Sequence, residues 1–235
     1  MTFLSQVAHR PFPMPSQKWQ FYQEWKTLAF LHYEIDESIL RAFVPEEIEI
    51  DCFNGKAWVS LVCFKMASVQ PRNLFPIAAV SNFDEINIRT YVRHKGRQGV
   101  YFISIEAGKK FSAFLSRHFS GLPYRYSSMN AQQYTCSNRN TIFDDNLELV
   151  YETKALEEDK SKLDLWLTER YAVFQDVGNE IARFSVHHAP WQLERIELKK
   201  LTLSYPRFQK LFGAEPDLAH YSPGVQVVTW PKNID

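Results

Sequence analysis

The sequence holds little of what most directly identifies a function. Its three cysteines, Cys52, Cys63 and Cys136, are scattered and odd in number, which excludes a disulfide framework and a Cys-rich zinc site and points to a reducing compartment. Only eight glycines are present, and none falls in a G-x-G-x-x-G, Walker-loop or G-x-S-x-G pattern, so Rossmann, P-loop and serine hydrolase readings lose their usual support. No cofactor is expected. Charge of one sign is also missing: 27 Lys plus Arg balance 27 Asp plus Glu, leaving no electrostatic footprint for nucleic acid or an anionic membrane surface. Long apolar runs are absent as well, and the start, MTFLSQVAHRPFPMP, has no continuous hydrophobic stretch before its prolines. The expectation is a cytoplasmic protein with no membrane segment and no nucleic-acid partner.

Aromatic residues are what the chain has in quantity. Its 18 Phe, 11 Tyr and 6 Trp suggest an aromatic-lined core or pocket. Pro11, Pro13 and Pro15 predict an extended N-terminal arm over residues 1–18, because proline lacks a ladder donor and disfavours helix at the preceding residue. No Gly/Ser/Pro linker divides the rest of the chain, so residues 19–235 read as a single domain.

Asn54-Gly55, between EIEIDCF and KAWVSLVCF, matches a two-residue type I′ turn, which needs positive φ at both central positions. Pairing outward from it sets Ile50 opposite Val59 and Ile48 opposite Leu61 on a core face, with Glu49, Asp51, Trp58 and Ser60 on the other. The next segment, NFDEINIRTYVR, alternates cleanly: Ile86, Ile88 and Val92 face one way, and Phe83, Glu85, Asn87, Arg89 and Tyr91 the other. HKGRQG loops to a return strand, GVYFISIEA. After Gly108 the apolar period lengthens to that of a helix, giving a stripe of Phe111, Phe114, Leu115, His118 and Phe119 over residues 109–119. Residues 123–153 and 163–173 read as strands around an exposed LEEDKSK loop, followed by EIARFSVHH, a WQLERIELKKLTLSY strand, a short helix in SYPRFQKLFG ending at Gly213, and PGVQVVTW as a last strand. The fold class is α+β, mainly antiparallel β, with closure into a barrel as the favoured way to remove exposed edges.

Few constellations carry chemistry. The polar face of Glu85, Asn87, Arg89 and Tyr91 is either a solvated strand face with a weak ion pair or the inside of a pocket, where burial raises a glutamate pKa and arginine clamps a carboxylate. Spacing alone favours the solvated face. His187 and His188 are consecutive on a strand, point to opposite sides and cannot easily share a metal ion, and no HExxH motif accompanies them. No metal is expected. His32 reads as a hydrogen-bonded core histidine. Lys109 and Lys110 stand at a helix start, where a lowered pKa suits Schiff-base chemistry, although solvated surface lysines are the simpler reading.

In their order along the chain, LAFLHYEID, IDCFNGKAWVSLVCFKM, FDEINIRTYV, GVYFISIEA, SRHFSGLPY, LTERY and HHAPW resemble the YqjF-like family of bacterial proteins, from about Trp19 to Trp230. That family is similar to the acetoacetate decarboxylase-like superfamily, and the resemblance implies a β-barrel around a small pocket with a few helices packed outside. Decarboxylases of the superfamily carry a lysine pair after an Arg, Gly and Pro framework. Here the similar segment runs from Ser116 to Arg125: Arg117, Gly121 and Pro123 keep the framework, while Tyr124 and Arg125 stand at the lysine positions. A phenol cannot form an iminium with a ketone, and a guanidinium is no practical substitute. The resemblance also places Glu85 at the superfamily's pocket glutamate and so turns its strand face inward. It implies Glu85 and Tyr124 as an acid/base pair, with Arg89 or Arg125 recognising an anionic small molecule. Arg117 and Arg170 are each open between ligand contact and an ion pair within the shell. Two other readings stand beside this one: an imine-forming enzyme with its lysine relocated to Lys109 or Lys110, and a non-enzymatic barrel whose polar strand face meets a partner or a second copy of itself.

Overall fold

A computed structural model describes residues 2–76, 81–110, 122–156 and 158–234 of the chain. Its central feature is a ring of hydrogen-bonded strands. β1 (Phe21–Ile35) pairs with β3 (Ala57–Pro71), β3 with β4 (Phe83–His94), and β4 with β5 (Arg97–Ala107), all antiparallel. β5 runs parallel to β10 (Ala172–Val177). β10 forms a hairpin with β11 (Glu180–His188), and β11 pairs in turn with β13 (Leu218–Thr229), which returns to β1. Seven strands therefore form a closed circuit.

A second set of strands branches from the ring. β12 (Glu194–Ser204) leaves β13 and leads to β9 (Asp145–Leu156), β8 (Thr135–Asn140) and β7 (Ser128–Gln132). Its inner residues, Ala131, Cys136, Leu147, Leu149 and Tyr151, join one core with Leu31, Leu61, Ile86 and Ile88 from the outer face of the ring. β1, β3 and β4 are thus covered on both sides where the layers overlap, and this accounts for the unbroken buried runs Leu28–Tyr33, Ala57–Phe64 and Glu85–Val92. The opposite faces of the same strands line the ring interior, where Leu28, Phe30, Val62 and Phe64 meet Trp191, and Trp58 and Tyr91 meet Val186 and Val227.

The expected alternation of residues 82–93 appears in full. Glu85 lies opposite Phe64, Asn87 opposite Val62 and Arg89 opposite Ser60, all in the interior row, while Ile86 and Ile88 face Cys63 and Leu61 in the other. The Asn54-Gly55 turn also forms, with φ of 51° and 79°. Its hairpin ends after the single Phe53–Lys56 bridge, however, and β2 (Glu49–Ile50) pairs with β4 instead of β3. The reason is that β3 gives both edges to β1 and β4; β4 extends past the start of β3, and β2 takes up that remaining edge. Ile48 and Ile50 still reach the expected core.

Residues 163–173 are not one strand. α2 (Lys162–Thr168), which follows α1 (Glu37–Arg41) in chain order, opens on a capping box in which Ser161 and Asp164 satisfy each other's backbone N–H groups. It presents Leu167 and Trp166 to the interior cluster. The expected short helix before Gly213 is a 3-10 segment, Pro206–Leu211. In the N-terminal arm a 3-10 turn at Thr2–Ser5 buries Phe3 against Tyr22, Val228 and Trp230. The helix expected over 109–119 falls almost wholly outside the described residues.

Gly224 marks a close approach of two backbones. It has φ of 129°, and a Cβ there would lie 2.0 Å from the Trp25 carbonyl oxygen. Gly55 also has positive φ but open space around it. Gly224→Ala is therefore expected to cost more than about 2 kcal/mol, and Gly55→Ala about 1 kcal/mol from its backbone alone. Urea unfolding of the two variants checks the order; equal losses contradict it.

Candidate functional site

Glu85 projects from β4 into the ring and is 3% exposed. The Tyr124 hydroxyl, on β6 (Tyr124–Tyr126), donates to its Oε2 at 2.9 Å, and Asn87 Nδ2 donates to its Oε1 at 3.2 Å. β6 reaches this place because it runs parallel to β5, with Tyr124 in register with Ile105, itself the β5 partner of Asn87. Among the described residues no cation meets the carboxylate. Burial is the dominant influence and pushes its pKa up to about 7, partly opposed by the hydrogen bonds from Tyr124 and Asn87. Burial, together with the neighbouring acid, pushes the Tyr124 phenol well above its ordinary range. The pair consequently holds a proton near neutrality that an exposed glutamate would have lost.

Arg89 follows on the same face, 8% exposed. Its Nη2 donates to the Leu167 carbonyl at 3.3 Å, and its guanidinium lies 5.5 Å from the Phe30 ring centroid and 5.9 Å from that of Tyr91. Among the described residues, the Nε of Arg89 and the Oδ1 of Asn87 are buried without a hydrogen-bond partner. Each such group costs about 1–3 kcal/mol, so this row has unspent capacity for one acceptor and one donor. Two surface cavities of about 290 and 340 Å³ are lined by other residues. The first borders the ring at Met66, Phe83 and Gly108, beneath Lys26, Lys65 and Lys109.

The remaining site candidates separate. Arg170 pairs with buried Asp51 at 2.8 Å, and its ring-facing side lies over Trp166 and Tyr91. Asp51 also receives Arg93 at 3.1 Å. Arg125 lies on the opposite face of the sheet from Tyr124, with Nη2 donating to Ser104 at 3.0 Å and the guanidinium 5.2 Å from the Phe143 ring. It belongs to a second buried polar cluster centred on Glu106, which accepts from Asn138, Asn140 and Tyr205. Burial raises the Glu106 pKa, and burial with the neighbouring Glu106 carboxylate raises that of Asp145. Arg117 lies outside the described residues. Lys109 and Lys110 are exposed, and Lys110 lies over Tyr126.

The two consecutive histidines part as expected. His187 stacks on Phe3 and His9, while His188 turns inward against Tyr171 and Trp191, where burial lowers its pKa to about 3. No cluster of metal-binding side chains occurs among the described residues. Sequence reading missed Asp51, Glu106 and Asp164; only Asp164 left a local signal, the Ser161–Asp164 capping spacing.

This ring of strands is the fold of the acetoacetate decarboxylase-like proteins. The chain is similar to an acetoacetate decarboxylase-like enzyme from Sphingomonas wittichii RW1, at TM-score 0.66 and 12% identity, covering 96% of this chain and 97% of that one. An acetoacetate decarboxylase from Legionella pneumophila gives 0.63 and 14%, covering 97% and 93%. The enduracididine biosynthesis enzyme MppR, complexed with the condensation product of pyruvate and imidazole 4-carboxaldehyde, gives 0.65 and 11%, covering 94% and 90%. Within this fold the chain belongs to DUF2071, described as an uncharacterized conserved protein, whose family model matches residues 22–226. It is 32% identical over 226 residues to the uncharacterized protein YqjF of Bacillus subtilis (strain 168), covering 93% of each.

The raised Glu85 pKa makes a signed prediction. The unfolded carboxyl titrates near 4.5 and the folded one near 7, so the folded state binds the extra proton and its contribution to stability falls as pH rises between those values. The span corresponds to about 3 kcal/mol. Glu85→Gln is neutral throughout and is expected to gain on the natural protein by up to that amount from pH 4.5 to 8, read from urea midpoints. A constant difference across that range contradicts the assignment.

Proposed function

We propose that the protein binds a small anionic carbonyl compound inside the ring and moves a proton on it, with Glu85 as the base and Tyr124 as the hydrogen-bond donor. The observation that carries this reading is the 2.9 Å Tyr124–Glu85 hydrogen bond in a buried, aromatic interior. A carboxylate with pKa near 7 is matched to proton transfer at neutral pH. In the proposed step Glu85 takes a proton from the carbon next to the carbonyl, the C–H electron pair becomes the enolate, and Tyr124 turns its O–H toward the developing enolate oxygen. Arg89, with its unpartnered Nε, holds a carboxylate of the same ligand. No imine is formed, because Tyr124 and Arg125 stand where the resembling decarboxylases carry lysines. The free cysteines, two of them buried, fit a reducing, cytoplasmic setting for this chemistry.

One observation favours a second reading, in which the ring is a scaffold. Trp58, Phe64, Tyr91 and Trp191 fill much of the interior with side chains at most 6% exposed.

Exchange in D2O separates the readings. Pyruvate, acetoacetate and related 2- and 3-oxo acids are incubated with the protein, and NMR follows loss of the C–H signal beside the carbonyl. Exchange on at least one acid that falls to background in Glu85→Gln and weakens in Tyr124→Phe is expected, with no adduct on Lys109 or Lys110 after borohydride. Neither exchange nor binding by the natural protein supports the scaffold, and a borohydride adduct on either lysine supports the relocated imine.

A further inference from the structure

The end of the ring remote from Glu85 holds an unbroken line of hydrogen-bonding side chains that the proposed chemistry does not use. The Tyr91 hydroxyl lies 2.6 Å from Ser60 Oγ, Ser60 Oγ 2.7 Å from His32 Nδ1, His32 Nε2 3.1 Å from His220 Nδ1, and His220 Nε2 3.0 Å from Asp164 Oδ1. Tyr91, Ser60, His32 and His220 have no solvent exposure, and Asp164 has 1%. Separate elements supply them: β1, β3, β4 and β13 each give one residue, and α2 gives the aspartate. We infer that these five residues form a proton relay that carries protons between the ring interior at Tyr91 and the rim at Asp164 and Arg195.

The argument rests on direction. With one proton on each imidazole, the line can be read from Tyr91 outward: Tyr91 O–H donates to Ser60, Ser60 O–H to His32 Nδ1, His32 Nε2–H to His220 Nδ1, and His220 Nε2–H to the Asp164 carboxylate. Each donor of the line then meets an acceptor on the next residue, with the Tyr91 hydroxyl also 3.5 Å from His32 Nδ1. The opposite direction can be drawn as well, except that it leaves the Tyr91 O–H to an acceptor outside the line. Arg195 Nη1 lies 2.9 Å from the same His220 Nε2, and a guanidinium can only donate. With that bond made, His220 donates through Nδ1 to His32 Nε2, His32 through Nδ1 to Ser60, Ser60 to Tyr91, and the Tyr91 O–H turns free of the line. A static cap would need one terminal partner at His220, and here an acceptor and a donor both stand within 3.0 Å of one nitrogen.

The two directions differ by the passage of one proton. A proton given to the Tyr91 oxygen from the interior displaces that hydroxyl's own proton to Ser60; Ser60 passes its proton to His32 Nδ1, His32 its Nε2 proton to His220 Nδ1, and His220 its Nε2 proton to Asp164. Four O–H or N–H bonds of the line break and five form, the fifth holding the proton given to Tyr91, and one proton has crossed once Asp164 releases its own to water at the rim. It leaves the line second in direction, with Arg195 donating to the emptied Nε2. Arg195 also holds Asp164 Oδ2 at 3.0 Å, and its side chain is 29% exposed, so this end meets the surface. Burial and the neighbouring His220, Arg89 and Arg195 hold the His32 pKa well below its ordinary value, which keeps the line from stalling as an imidazolium. The Tyr91 end lies one alternation from Arg89 on the same interior face. A ligand seated against Arg89 could therefore gain or lose a proton without opening of the ring.

Side-chain proton exchange in the intact protein tests this without any substrate. After transfer into D2O, NMR of the histidine-labelled and tyrosine-labelled protein follows the His32 Nε2–H and the Tyr91 O–H beside the backbone amides of β1. The relay predicts that both side-chain protons exchange well before the β1 amides. Ser60→Ala is expected to slow Tyr91 toward the rate of those amides while leaving His32 fast, and Ser60→Thr to restore Tyr91. Asp164→Asn, which keeps an acceptor oxygen but loses the basic carboxylate, is expected to slow His32, and it decides the matter if Ser60→Ala fails to fold. His32 exchanging only with the β1 amides, or Tyr91 unaffected by Ser60→Ala, makes the line a static hydrogen-bond network and overturns the inference.

Discussion

Closure of the ring is the constraint on which the rest depends. Three residue pairs, Val186–Thr229, His187–Val228 and His188–Val227, join β11 to β13 and turn a long, mainly antiparallel sheet into a circuit. Without that joint the inward faces of β1, β3 and β4 would meet water, and Glu85 would titrate as an ordinary surface acid. With it, the same residues enter a low-dielectric interior. The second sheet completes the effect by covering the outer faces, so that these strands are buried twice over and their register is fixed from both sides.

Two-sided burial also explains why polar residues cluster in separate places. A charged or amide side chain on a doubly covered strand must find a partner within its own layer. Inside the ring, Glu85 finds Tyr124 and Asn87, and Asp51 finds Arg170. Between the sheets, Glu106 finds Asn138, Asn140 and Tyr205. Glu85 and Glu106 lie on neighbouring strands yet serve opposite layers, because Glu106 is in register with Ile86, one residue beyond Glu85.

Much of the ring was legible from alternation. NFDEINIRTYVR carried both its strand and its two faces, and the Asn54-Gly55 and HKGRQG turns were readable from their residues. Which face pointed inward was not, because two apolar layers compete for a doubly covered strand; only the resemblance to the acetoacetate decarboxylase-like proteins turned Glu85 toward the interior. α2 escaped notice because KLDLWLT also alternates, and seven residues are too few to display a helical period. The Asp51–Arg170 pair and the His32–His220 contact join residues 119 and 188 positions apart. No local pattern encodes such pairs. They follow from closure, which is a property of the whole sheet.

The central claim is that Glu85 keeps its proton near neutrality because the closed ring buries it beside Tyr124. Carbon-13 NMR of glutamate-labelled protein, with Glu85→Gln to assign the signal, reads this directly from the pH dependence of one side-chain carboxyl resonance. The account predicts a midpoint near 7, moving in Tyr124→Phe, where a hydrogen bond to the carboxylate is lost. A Glu85 carboxyl that titrates near 4.5, the ordinary glutamate value, would contradict it and leave the interior of the ring without its acid.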